Sequence, residues 1–164
     1  LKGQVQLLEW WSSVYSNHAA LRTGIEFTHI AGLVAGGGSA ITADLATIIA
    51  ARAKSATLAA HLTLLRRTHP IVIAGLVALF VSGLLLFAAD VDTFWNSRVF
   101  WGKLALVLAL LVNGVAIVMN ERRVMLVEAD AAAGACGRLH LVATTSLILW
   151  FLTTLAGSAL MNLG

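Results

Sequence analysis

The chain has 164 residues, 59% of them hydrophobic and only 12% charged, with a formal charge of +3 and a pI near 9.6. Soluble domains carry roughly 25% charged residues, so this composition excludes one, and the basic residues flank apolar stretches rather than forming a nucleic-acid patch. The single cysteine, Cys136, excludes an internal disulfide and a multi-cysteine metal site.

The chain begins at Leu1 rather than at methionine, which leaves processing before Leu1 or the lack of a leader as the expectations. Nothing in the first 25 residues joins a basic start to an apolar run, as a signal peptide does. Residues 4 to 21 are too polar to span a bilayer. Val5, Leu8, Trp11 and Tyr15 recur at three- and four-residue spacing and make one helix face. Trp10, Trp11 and Tyr15 are of the kinds enriched at the headgroup level. Residues 1 to 25 therefore read as an amphipathic helix lying in the interface, with Thr23-Gly24 turning into the first span. The alternative is a cap packed on the bundle or on a partner subunit.

Four apolar stretches follow, at about 27 to 52, 70 to 88, 99 to 119 and 139 to 161. Each is close to or above the roughly 20 residues that cross a bilayer. The connection from 90 to 98 is short, so the second and third spans are antiparallel neighbours. The connections from 53 to 69 and from 120 to 138 are longer, and the first of them has the composition to extend the second helix. The expected fold is all-α: an integral membrane four-helix up-down bundle over residues 26 to 164.

We call the N-terminal side of the bundle side A and the opposite side B. Side B carries seven basic residues, Arg52, Lys54, Arg66, Arg67, Arg122, Arg123 and Arg138. Side A carries four, Lys2, Arg22, Arg98 and Lys103. This bias makes side B cytoplasmic and puts both termini on the non-cytoplasmic side, in a membrane of the bacterial inner type.

The few polar residues inside the spans are the functional candidates. A rise of about 1.5 Å per residue places Asp44 about 12 Å inside side B, with Asn113, Thr144 and Thr145 at a similar level. Such a layer serves either interhelical hydrogen bonding or a proton or cation site. Lys103 lies near side A, at the depth of His29 and far from Asp44. His69 and His140 begin the second and fourth spans at one level, on helices diagonal in an up-down bundle. That geometry suits two imidazoles gripping one iron, so a low-spin b-type haem is expected there. Arg66, Arg67 and Arg138 would stand near its propionates. Read without a cofactor, both histidines are interfacial side chains wetted at helix ends. Gly36-Gly37-Gly38, Gly75, Gly83, Gly102 and Gly114 allow close approach either of helices or of a flat macrocycle. No phosphate-binding loop, HExxH or nucleophile elbow is present.

Thr28-His29-Ile30 resembles the head of the first helix in the membrane-bound, haem-containing protoporphyrinogen oxidases. Phe100-Trp101-Gly102-Lys103-Leu104, running into Leu110-Leu111-Val112-Asn113-Gly114, is similar to that group and also resembles the copper-resistance D-type membrane domain. The resemblance covers roughly residues 26 to 120. It implies a haem site on a first-helix histidine and a third-helix lysine, which map to His29 and Lys103. Where the oxidases carry a further histidine late in the third helix, this chain has Asn113-Gly114. The three methionines, Met119, Met125 and Met161, are scattered and form no copper cluster. Three functions are thus expected: a haem-binding electron-transfer protein or subunit of a larger complex, a cofactor-free accessory membrane subunit, or a porphyrin- or copper-handling membrane protein.

Overall fold

Hydrocarbon offers the backbone no hydrogen-bond partner, so an apolar chain satisfies its own amides by coiling into helices. The computed structural model describes residues 2–52, 56–126 and 132–163. Its elements are α1 (Lys2–Asn17), α2 (Ala19–Gly32), a π-helical turn (Leu33–Gly37), α3 (Gly38–Arg52), α4 (Ala56–Ala89), α5 (Val91–Asn96), α6 (Arg98–Leu126) and α7 (Ala132–Leu163). Among the described residues, four stretches are long and apolar enough to cross a membrane: Ala19–Arg52, Thr68–Ala89, Arg98–Arg123 and Cys136–Leu160. The protein is an all-α membrane bundle of four spans.

The first span (α2, the π turn and α3) packs between the second (α4) and the fourth (α7), and the fourth packs between the first and the third (α6). The second and third spans meet through side chains at their two ends. Phe87 stacks on Phe100 with ring centroids 5.2 Å apart, and His69 Nε2 lies 3.6 Å from Glu121 Oε2. The first and third spans are therefore diagonal, as are the second and fourth.

Glycine sets the closest crossing. A Cβ on Gly36 would lie 2.9 Å from the Gly75 Cα, so the first and second spans touch backbone to backbone. On the neighbouring face, Gly37 lies under the Trp150 ring, 3.0 Å from where its Cβ would be. Close approach of this kind supplies the dispersion contact that lipid-solvated helices need in order to associate. The π turn falls on the same glycines and inserts an extra residue, which resets the facing of α3 relative to α2.

Side A is closed by turns and aromatic rings. Asp90 caps α5 by accepting from the Thr93 amide at 3.3 Å, and the Ser97 hydroxyl accepts from the Phe100 amide at 3.3 Å. Trp95 and Trp101 meet edge to face at 5.1 Å. These are the residues expected at a headgroup boundary.

Several boundaries differ from the sequence reading. The chain bends at His18, whose φ of −116° and ψ of 88° are non-helical, and Thr23-Gly24 is helical. Nothing breaks a helix at Thr23-Gly24, since glycine there costs only about 1 kcal/mol. The α1 helix docks on α4, with Trp11 Nε1 donating to the Leu85 carbonyl at 2.9 Å, while Leu7 and Trp10 stay exposed. The α4 helix runs through Pro70, because a proline that lacks its amide proton removes one ladder bond without ending so long an apolar helix. The third helix runs past Met119 to Leu126, which makes Glu121 a helical residue.

Candidate functional site

Two polar groups occupy the bundle, one toward each side. The first lies toward side A. His29, one turn before the π turn, directs Nδ1 to the Ser82 hydroxyl at 2.8 Å. Ser82 is 1% exposed, and its own proton goes back one turn to the Ala78 carbonyl at 2.5 Å. With that proton committed, Ser82 is assigned as the acceptor from His29 Nδ1, and the Leu79 backbone also hydrogen-bonds the ring. Lys103 on α6 stands close enough to interact electrostatically with His29. A Cβ on Gly157 would lie 3.4 Å from Lys103 Nζ, and a Cβ on Gly83 would lie 3.5 Å from the His29 ring. An imidazole and an amine that interact electrostatically thus each lie against a side-chain-free helix face. One turn from Gly157 on the same helix, the Thr153 Oγ1 is buried without a partner.

The second group lies toward side B. Asp44 on α3 is 5% exposed and Glu121 on α6 is 7% exposed. The two carboxyls interact electrostatically, and the Ser146 hydroxyl of α7 lies beside Asp44. Asp44 Oδ2 has no partner. His69 on α4 faces Glu121 and completes a ring to which each span contributes one side chain. One turn beyond Asp44, Thr47 is also buried.

The other sequence candidates find separate partners. His140 Nε2 accepts from Arg52 Nε at 3.3 Å, so the Nε2 atoms of His69 and His140 each face a neighbour other than the other histidine. Asn113 donates to the Val142 carbonyl at 2.9 Å and ties α6 to α7. Thr144 bonds back to the His140 carbonyl at 2.8 Å. Asp44, Asn113 and Thr144 therefore each engage a different partner. Arg138 is exposed, and the side chains of Arg66 and Arg67 lie outside the described residues. Among the described residues, no three His, Cys, Asp or Glu side chains gather so as to hold a metal ion.

Sequence reasoning missed Ser82, Ser146, Thr153 and Glu121. A serine beside Gly83 in an otherwise apolar span was a usable signal for Ser82. Glu121 gave none, because next to Arg122 and Arg123 it reads as a solvated end. Compared with protein-family models, with curated proteins and with solved structures, the chain finds no match.

Proposed function

We propose that this membrane protein binds a b-type haem and takes part in membrane electron transfer, with His29 and Lys103 as the groups that hold it. The observation that carries this reading is the His29 imidazole itself. Its Nδ1 is engaged with the Ser82 hydroxyl, which orients the ring so that Nε2 is the nitrogen offered to a ligand, the arrangement that metal-ligating histidines adopt. Lys103 supplies a second nitrogen from the third span, and Gly83 and Gly157 keep bulk away from both. The orphaned Thr153 hydroxyl marks unmet hydrogen-bonding capacity on the same stretch of α7. The resemblance implies the same pair. His69 and His140, the other candidates, have their Nε2 atoms turned to Glu121 and Arg52. A haem at this site would supply one-electron redox chemistry at membrane depth. The chain's own residues bind and orient it, Ser82 by fixing the ring plane of His29. By the distribution of basic residues, the site lies toward the non-cytoplasmic side, with the arginine-rich end in the cytoplasm.

The test is the absorbance of protein purified from haem-supplemented cells. A Soret band that survives extensive washing is expected. Its absence in the wild type would favour the second reading, an accessory subunit without cofactor. The observation on that side is the third span, which packs closely on the fourth alone of the other spans and leaves Leu104, Leu108, Leu111, Val112 and Val115 exposed to lipid or to another subunit. A porphyrin- or copper-handling activity rests on the resemblance alone.

A further inference from the structure

We propose that Asp44 and Glu121 form a proton-binding pair at the centre of the side-B half, holding one exchangeable proton between them. The pair comes from the first and third spans, which are diagonal in the bundle, and the two carboxyls interact electrostatically across it. Both are more than nine-tenths buried. Two ionised carboxylates at such depth repel each other and lack the water that would stabilise them, whereas one shared proton removes a charge and supplies a donor. Asp44 Oδ2, buried and without a partner, is the atom that this proton would satisfy.

The surroundings are specified from every packed element. On α3 stand Asp44, Thr47 and, at the rim, Arg52, which is engaged with His140 of α7. The fourth span adds Ser146 beside Asp44 and an exposed Arg138 at the rim. The third adds Glu121, with Arg122 and Arg123 exposed. From the second comes His69, about one-third exposed and 3.6 Å from Glu121. His69 is thus the residue that connects the pair to solvent on side B. A metal is the poorer occupant, since no three ligating side chains gather among the described residues.

The experiment is infrared spectroscopy of the purified full chain at neutral pH, in water and after exchange into D2O. A protonated-carboxyl stretching band that is lost on neutral substitution of a member of the pair reports the pair itself. The wild type should show the band, displaced by deuteration, and Asp44→Asn should lose it. Glu121→Gln should lose the band as well and takes the place of Asp44→Asn if that variant does not fold. No band in the wild type, or an unchanged band in Asp44→Asn, overturns the proposal. Loss of the wild-type band when sodium chloride replaces choline chloride at fixed pH also overturns it, in favour of a cation site.

Discussion

The two halves of the bundle solve the same problem, polar side chains in hydrocarbon, in opposite ways. Toward side A the groups are basic, and one is held in place: the Ala78 carbonyl takes the Ser82 proton, and Ser82 engages His29 Nδ1. Toward side B they are acidic: two buried carboxyls, a hydroxyl and a histidine about one-third exposed, with one oxygen of Asp44 unmet. An imidazole oriented from one side suits a ligand that brings a metal. A surplus of buried negative charge suits a proton. The halves are held to one frame by the Gly36–Gly75 crossing between them.

The largest effect should come from breaking that frame. Gly75→Leu drives a side chain into the Gly36 backbone, where no rotamer can yield. A loss of about 3 kcal/mol or more is expected, given the usual cost of overpacking, together with both polar groups. Thermal unfolding in detergent measures it. Ser82→Ala should cost less, about 1–2 kcal/mol, because it leaves a buried ring N–H unpaired. It sharpens the contrast if haem binding weakens while the carboxyl band of the other half stays. Asn113→Leu removes one interhelical bond to the Val142 carbonyl and should cost about 1 kcal/mol, leaving both halves intact.

The smallest expected effect lies outside the spans. Tyr15 donates to Glu26 Oε1 at 3.0 Å, and burial first, then that bond, push its phenol up to about 12 from 10.0. A group whose folded pKa is raised stabilises fully below its unfolded value and loses that contribution as pH rises through the folded one. The α1 docking should therefore hold below about pH 10 and weaken between about pH 10 and 12. Tyr15 is the sole tyrosine, so phenolate absorbance titrates it directly, and Glu26→Gln should bring the midpoint down.

The class and the spans were legible because hydropathy is a one-dimensional property and four long apolar runs admit few folds. The meeting of His29 with Lys103 was also legible, since depth follows from residue count alone. Azimuth was not. The π turn at Leu33–Gly37 changes the facing of α3 relative to α2, so constant 100° steps cannot say that Asp44 meets Glu121 and Ser146 rather than Asn113 and Thr144. Nor could the end of α6 be placed, because a charged triplet, Glu121-Arg122-Arg123, looks like a terminus while the helix continues through it. Residue count puts His69 and His140 at one level. What sequence could not reveal is that each has a nearer neighbour, Glu121 and Arg52.

The central claim is that the lone pair of His29, and not those of the side-B histidines, receives the haem iron. The direct measurement is the Soret spectrum of wild type, His29→Ala and His69→Ala, each purified from haem-supplemented cells and matched for helical content by circular dichroism. The account predicts a band in the wild type and in His69→Ala, and none in His29→Ala. A band that persists in His29→Ala and vanishes in His69→Ala would contradict it and move the haem to the other half of the bundle.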